Sequence, residues 1–529
     1  MTSSRTRVRK VLEHDDARAA GTVAGRRPGG TDSATPDGAP AALSAAALRG
    51  LFGRDSIYAG LWVLQLGVAA IFTPVSTRLL GPSRFGLVAA SVAVMQVLVA
   101  VAGMSLQTAI QRRYATSGGE RDARRLIVLA MVVSILVFVV ADVTGPAWAS
   151  ALGLGRYPLV VRYAVMWACL TAISNAALGL LRSRDQLVIF ATVSLLQSVV
   201  AEGLSMLLVL VVRRSAAEWV LGELLAQAAA VCVAIRYVPP LALRWRDRRI
   251  AASALRYSLP LVPAALAVFV LQASDRLVVQ HDLGSDAVAR YAVAYNIGSI
   301  AIILLGVLNT AWMPRVFALA DPSVRDAVLA QSRDALYALL IPVLVGLGLG
   351  APLLLHAWAP QSYRPDGLLL VVALVAASSV AVAGASAQTR VLLAHARTAP
   401  VAAATMFAAC LNLALNVAFV PVLGIEGSAL ATLLGYASLH VLLVLSSRRT
   451  CLRPTHRRLA LKLVAAVALA FLAAVLPVNV PFLVIRAALG AGCAAVFVAM
   501  LMTLSGNSTP PPMRRISAWL TSTVRTASA

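Results

Sequence analysis

The side chains in this sequence with chemistry to offer are the ionisable and amide groups set inside long apolar runs. Asp275 and Arg276 stand side by side near the end of one run, and Gln272 precedes Arg276 by four residues, which puts those two on one helical face. A guanidinium is always charged and gives paired hydrogen bonds that match a phosphate, so arginine at membrane depth suits the passage of an anionic group. On that ground Arg78, Arg112, Gln272, Asp275, Arg276, Arg315, Gln388 and Arg390 are candidates for a substrate path. Glu202, Glu223 and again Asp275 are carboxyl groups that are costly in a membrane unless protonated, paired or hydrated. They are candidates for coupling to a proton or sodium gradient or to the membrane potential.

Each candidate has a plainer alternative. Asp275 and Arg276 can form a structural ion pair or cap their helix end, and Arg78, beyond Pro74, can be a snorkelling interface anchor. Arg112 and Arg315 fit positive-inside anchoring equally well. The two glutamates can pair with an intramembrane arginine. Asn175, Gln388, Asn412 and Asn416 can meet substrate hydroxyls or bond one helix to another.

The elements that must position these groups follow from composition. Hydrophobic residues make up 60% of the 529 positions and charged residues 13%, with a mean hydropathy of +0.82, far from the balance of soluble domains. A membrane span needs roughly 20 mostly apolar residues, and beyond position 55 such runs succeed one another with short polar breaks. A formal net charge of +24 would suggest nucleic acid in a soluble protein. Here the basic residues sit mostly in short loops, where they set topology, so no nucleic-acid partner is expected.

Cys169, Cys232, Cys410, Cys451 and Cys493 show no CxxC or Cys/His spacing, so neither a disulfide nor a metal site is expected. There is no GxxxxGK[ST] phosphate loop, HExxH or GxSxG. The chain is therefore expected to be no enzyme and to need no cofactor.

Apolar runs bounded by Arg, Gly and Pro predict an all-α, polytopic membrane protein of about 14 transmembrane helices. With the N-terminus inside, most of the 46 basic residues fall on cytoplasmic segments, including Arg244, Arg246, Arg248 and Arg249 and the group Arg448, Arg449, Arg453, Arg457 and Arg458. That asymmetry predicts both termini in the cytoplasm, while Arg486 falls inside the last span. Residues 1–50 lack the apolar core of a signal peptide and are expected to be a disordered cytoplasmic tail, with a second cytoplasmic tail at 506–529. The outer loops are all short, so any activity belongs within the membrane.

The segment LGPSRFGLVAASVAVMQVLVAVAGMSLQTAIQR can be laid on LGSDAVARYAVAYNIGSIAIILLGVLNTAWMPR, matching Gly81, Ala89, Gly103 and Arg112 to Gly284, Ala292, Gly306 and Arg315. An even number of spans separates the copies, so this is a parallel repeat about an axis along the membrane normal. It predicts two six-helix bundles, 51–240 and 251–447, followed at 448–505 by a basic loop and two extra C-terminal helices. Two like-oriented bundles enclose a central cavity that rocking can open to either side.

The stretch 257–298 resembles the seventh and eighth spans of bacterial polysaccharide flippases of the Wzx type, in the multidrug/oligosaccharidyl-lipid/polysaccharide exporter superfamily. The features that carry this are Leu259, Pro260 and Pro263, the Asp275–Arg276 pair, Leu283 and Gly284, and Tyr291 followed by Tyr295. TRLLGPSRFGLVA at 77–89 is similar to the family's first-loop pattern, and LNTAWMPRVF at 308–317 adds a further string. The resemblance in hydrophobic pattern runs from about residue 53 to 504.

It implies two six-helix lobes around a V-shaped cavity lined by cationic residues. The implied activity is translocation of polyprenyl-phosphate-linked oligosaccharide or polysaccharide precursors across the cytoplasmic membrane. The expected partners are the polyprenyl-linked glycan and membrane lipids, with a polysaccharide polymerase and glycosyltransferases as neighbours. A lipid II flippase, a cation-coupled drug exporter of the same superfamily and a membrane glycan polymerase remain as alternatives.

Overall fold

The computed structural model describes residues 56–115, 119–244, 247–317, 322–447, 455–475 and 480–505. The tails expected at 1–50 and 506–529 lie outside them, as does most of the basic loop after 447. Among the described residues every regular element is a helix. Hydrocarbon offers no hydrogen bonds, so a backbone that crosses it must satisfy its own N–H and C=O groups, which a helix does within the segment.

The chain runs through α1 (Ser56–Gly103), α2 (Leu106–Ala115), α3 (Gly119–Val143), α4 (Gly145–Ala151), α5 (Leu159–Ser183) and α6 (Leu187–Leu195). A π turn at Leu196–Val200 leads into α7 (Ala201–Val211), then α8 (Ala216–Tyr237) and α9 (Arg248–Ser258). There follow α10 (Val262–Leu283), α11 (Ser285–Gly298), α12 (Ile300–Phe317), α13 (Pro322–Trp358), α14 (Leu369–Ala394), α15 (Thr398–Ser446), α16 (Arg457–Val475) and α17 (Val480–Ser505).

Eleven of the described helices, or twelve with the bent pair 285–298 and 300–306 taken as one span, are long and apolar enough to cross a membrane. α1 and α15 have 48 and 49 residues. A straight helix of that size would run roughly 70 Å, more than twice the hydrocarbon thickness of about 30 Å. Both are broken by a glycine, Gly81 (φ 71°, ψ 172°) and Gly424 (φ 65°, ψ −144°), into two passes each. The protein is thus a multi-pass membrane protein, compatible with the fourteen spans expected.

The repeat has a backbone signature. Gly284, aligned with Gly81, ends α10 with φ 80° and ψ 178°, a region that only glycine adopts without strain. Each copy therefore reverses direction through the same glycine conformation. In the first half α5 packs on α8, α1 and α3, and in the second α15 packs on α14 and α10. The halves meet where α1 lies against α10 and α11. At that seam a Cβ on Gly86 would run into the carbonyl of Ser285, so the two helices approach to backbone contact.

α16 and α17 lie along α13, which contains Pro342 and Pro352. Proline has no N–H, so Pro352 leaves the carbonyl four residues earlier, Gly348, without its helical donor. Arg486, buried in α17, reaches that carbonyl with Nη2 at 3.2 Å, the Leu349 carbonyl with Nε at 3.3 Å and the Ala473 carbonyl near the end of α16 at 2.6 Å. One side chain thereby joins the two C-terminal helices to α13 where Pro352 interrupts its hydrogen-bond ladder.

Gly86→Ala should lower the thermal unfolding midpoint in detergent, with overpacking costing about 1–3 kcal/mol. Gly103→Ala, whose added methyl meets nothing within 4 Å, should leave the midpoint unchanged. Equal midpoints for the two variants would show that the halves do not meet at Gly86.

Candidate substrate cavity

A cavity of about 230 Å³ lies at the seam between the halves. α1 lines it from both its passes with Thr73, Ser76, Phe85, Val88, Ala89, Val92, Ala93 and Gln96. Glu202 of α7, Trp219 of α8, Arg276 of α10, and Ala292 and Asn296 of α11 complete the wall. Charge, amide, hydroxyl and aromatic groups are therefore drawn from both copies of the repeat.

Arg276 is held by its own neighbours rather than by a partner across the cavity. Its Nη1 donates to the carbonyl of Gln272 at 2.9 Å, and its guanidinium carbon lies 4.6 Å from the centroid of the Tyr295 ring. Stacking of this kind contributes about 0.5–2 kcal/mol and leaves the outer N–H groups available. Asp275 stands behind it, buried, and accepts from the Tyr291 hydroxyl at 2.6 Å and from the Arg276 backbone N–H at 2.8 Å. The Asp275 carboxylate is 3.6 Å from the guanidinium, so it anchors the arginine and does not itself line the cavity.

Local sequence sets the two groups on the first-half wall. Ser215 caps α8, accepting from the Ala217 N–H at 3.2 Å, and its hydroxyl meets the Glu218 carboxylate in an S-x-x-E capping pair. That fixes the first turn of α8, from which Trp219 projects. The π turn at Leu196–Val200 shifts the helical register just before Glu202, and Gln197 within it donates to Ser174 at 2.5 Å. Glu223 is buried beside α7, where Ser205 donates to it at 3.4 Å and Glu202 is a neighbour. A Cβ on Gly222 would strike the backbone of Ser205, so glycine there allows that approach.

At the end of the bundle that carries Gly81 and Gly284, hydrogen bonds tie the halves together. Thr77 Oγ1 donates to the Trp358 carbonyl at 2.5 Å, and Arg78 Nη2 to the Ala357 carbonyl at 2.8 Å. The Tyr363 hydroxyl donates to the Thr77 carbonyl at 3.3 Å, and Gln280 Nε2 to the Gly153 carbonyl at 3.0 Å. Burial, with the charge of Asp286 second, pushes the Tyr363 hydroxyl above its ordinary pKa, which keeps it a donor. Arg78 is therefore a tie between halves, exposed at the rim rather than inside the cavity.

The remaining candidates are spread through the fold. Gln272 has an exposed side chain on the same face of α10 as Arg276. Arg112 lies over the Tyr257 ring at 4.3 Å, where α2 meets α9. Gln388 accepts from Ser447 at 2.8 Å, and Arg390 is fully buried in α14. Asn416 donates to the Asn412 carbonyl at 2.9 Å and accepts from Ser428 at 2.7 Å, bonding the two passes of α15. The side chain of Arg315 lies outside the described residues. Of the sequence candidates, Arg276 and Glu202 thus line the cavity. Thr73, Ser76, Gln96, Trp219 and Asn296 join them unforeseen, since nothing in their spacing separates them from the other polar and aromatic residues of the spans.

Comparison with known proteins follows the same lines. The family model described as polysaccharide biosynthesis protein matches residues 54–320. Among solved structures, the lipid II flippase MurJ in an inward closed conformation superposes with a TM-score of 0.61 at 13% identity, covering 84% of this chain and 98% of that one. An inward-facing multidrug resistance MATE family transporter of the MOP superfamily gives a TM-score of 0.55 at 16% identity over 77% of this chain and 98% of that one. A MOP superfamily transporter from Pyrococcus furiosus gives 0.51 at 15% identity over 77% and 95%. At these identities the likeness is one of fold. No curated protein sequence matches the chain.

Arg276→Ala should destabilise the protein by about 3–5 kcal/mol, because it strips a buried carboxylate of its partner. The neutral pair Asp275→Asn with Arg276→Gln should recover most of that loss in detergent melting. A single variant as stable as the parent would show that Asp275 does not depend on the arginine.

Proposed function

The chain belongs to the polysaccharide biosynthesis protein family, and on that premise we propose that it moves a polyprenyl-phosphate-linked oligosaccharide or polysaccharide precursor across the cytoplasmic membrane by alternating access. Such a head group cannot cross hydrocarbon alone, because its charge and hydroxyls would lose their water. The observation that carries the proposal is a guanidinium, Arg276, presented to a cavity at the seam of two like-oriented halves.

In this reading Arg276 takes the phosphate, the amides and hydroxyls of the wall take the sugar end, and the polyprenyl chain stays in lipid. No bond is made or broken in the substrate. The ties of Thr77, Arg78, Tyr363 and Gln280 close one end. With the N-terminus inside that is the outer end, so these bonds break on release and form again on return. Glu202 and Glu223, adjacent to the cavity and to each other, are the groups through which an ion gradient would act, with Asp275 setting the arginine that responds. A polymerase and glycosyltransferases are the partners that such a substrate implies.

The test is transfer of a fluorescent polyprenyl-linked oligosaccharide between leaflets of proteoliposomes containing the full chain. The stable neutral pair Asp275→Asn with Arg276→Gln should slow transfer at least about tenfold, which corresponds to one lost charge-assisted contact of ~1.4 kcal/mol or more. Transfer of lipid II in preference to other glycan lipids would assign the lipid II branch. No movement of any glycan lipid, with export of cationic dyes instead, would overturn the proposal in favour of a drug exporter.

A further inference from the structure

We propose that the exposed face of α9, the helix that joins the two halves, is a docking surface for anionic phospholipid headgroups of the leaflet opposite the Gly81 and Gly284 turns. With the N-terminus inside, that is the inner leaflet. α9 is amphipathic in a strict helical register. Ala254 is buried, and Ile250, Leu255 and Tyr257 pack with it against the first-half core around Leu106 and Ile110. On the other side Arg249, Ser253 and Arg256 are exposed, at positions i, i+4 and i+7 of one face. A topology signal needs basic residues in a segment but no helical register. Here the charge is sorted to one face of a packed helix.

α9 is fixed to the first half independently of lipid. Asp247, just ahead of it, is buried and lies 3.3 Å from Arg125, which is 3.2 Å from Asp122, which in turn takes Arg113 at 2.8 Å. Arg112 of α2 adds its stacking on the Tyr257 ring. The joint to the second half is the 3-10 turn Leu259–Leu261, with Pro260 inside it. A lipid held by α9 is therefore held by the first half, while the second half swings on the turn beyond.

Depth favours lipid over a soluble partner as the occupant. α9 and α10 together run from Arg248 to Leu283, 36 residues in one candidate crossing, or roughly 54 Å at the helical rise against about 30 Å of hydrocarbon. With Leu283 at one edge of the hydrocarbon, the other edge falls near Pro263, about 20 residues back. Arg256 then stands about 10 Å past that edge, where a guanidinium on its flexible stem reaches lipid phosphates and gives them paired hydrogen bonds. Leu259, three residues further on, is 52% exposed, an apolar surface for acyl chains to cover. The exposed face thus passes from leucine to arginine in the order in which a phospholipid presents tail and headgroup.

The test exchanges mixed micelles of phosphatidylglycerol and phosphatidylcholine onto the full chain and counts the retained lipids by mass spectrometry. Each arginine close to an anionic surface should contribute about a fivefold preference. The parent should therefore retain phosphatidylglycerol over phosphatidylcholine by at least about tenfold, and Arg249→Gln with Arg256→Gln should cut that ratio at least about fivefold. Arg457→Gln with Arg458→Gln, an exposed pair at the start of α16 on the same side, should leave the ratio nearly unchanged. Salt at about 1 M, where the screening length falls to ~3 Å, should lower the parent's ratio to that of the α9 variant. Each readout is a ratio between lipids on one sample, so partial misfolding does not imitate it. Equal retention of the two lipids by the parent, an unchanged ratio in the α9 variant, or an equal loss in the α16 variant overturns the surface. Release of phosphatidylglycerol by inorganic phosphate or by a soluble glutamate-rich peptide overturns lipid as its occupant. No cargo enters the measurement, so failure here leaves the flippase reading standing.

Discussion

Hydrocarbon supplies no hydrogen bonds, and a polar group left without a partner there costs several kcal/mol. Backbone that must bend inside the bundle therefore needs a donor or acceptor from elsewhere. Pro352 interrupts the hydrogen-bond ladder of α13 and leaves a carbonyl that Arg486 meets, and the two passes of α15 are stitched by Asn412, Asn416 and Ser428 around the turn at Gly424. Asp275 obeys the same demand, with a tyrosine, a backbone N–H and a guanidinium around one carboxylate. The polar residues of the spans fall into those that close such accounts within the protein and those that face the cavity.

That division gives the seam its character. α1 and α11 approach to backbone contact at Gly86 and Ser285, which fixes the rotation of both helices and thereby which side chains face the space between them. The same seam holds the bonds at the Gly81 end and the cavity beside it. A rocking motion at this seam would change both together, since the helices that line the cavity also carry Thr77 and Arg78.

Much of this was legible in the sequence, for a physical reason. The hydrophobic pattern has to match the thickness of a bilayer whatever the tertiary contacts, so the all-helical class, the multi-pass architecture and the repeat at Gly81 and Gly284 could be read from spacing alone. Arg276 and Glu202 stood out because ionisable groups are rare at that depth. Trp219, Gln96 and Asn296 did not, since an indole or amide in a span serves helix packing as readily as a cavity. Which of these it does depends on helix rotation, set here by the Gly86 approach and the capping of α8. Asn412 and Asn416 had the same signal in the sequence and turned out to bond the passes of α15. Arg78 had the chemistry for phosphate, but its place at the rim gave it two backbone carbonyls instead.

The matched glycine turns at Gly81 and Gly284 also bear on how such a protein can grow. Two copies joined in the same sense can pack as like partners only if the chain enters both from the same face, which imposes a parity rule on everything inserted between or after them. A lone extra helix would send the following polypeptide out with reversed polarity and strand its basic loops on the wrong side, whereas a hairpin is neutral. α16 and α17 obey that rule as a pair, and Arg486 sits where the pair is joined to α13. Accretion by hairpins leaves the central seam untouched, so architecture can be elaborated at the periphery while the passage at the middle keeps its symmetry.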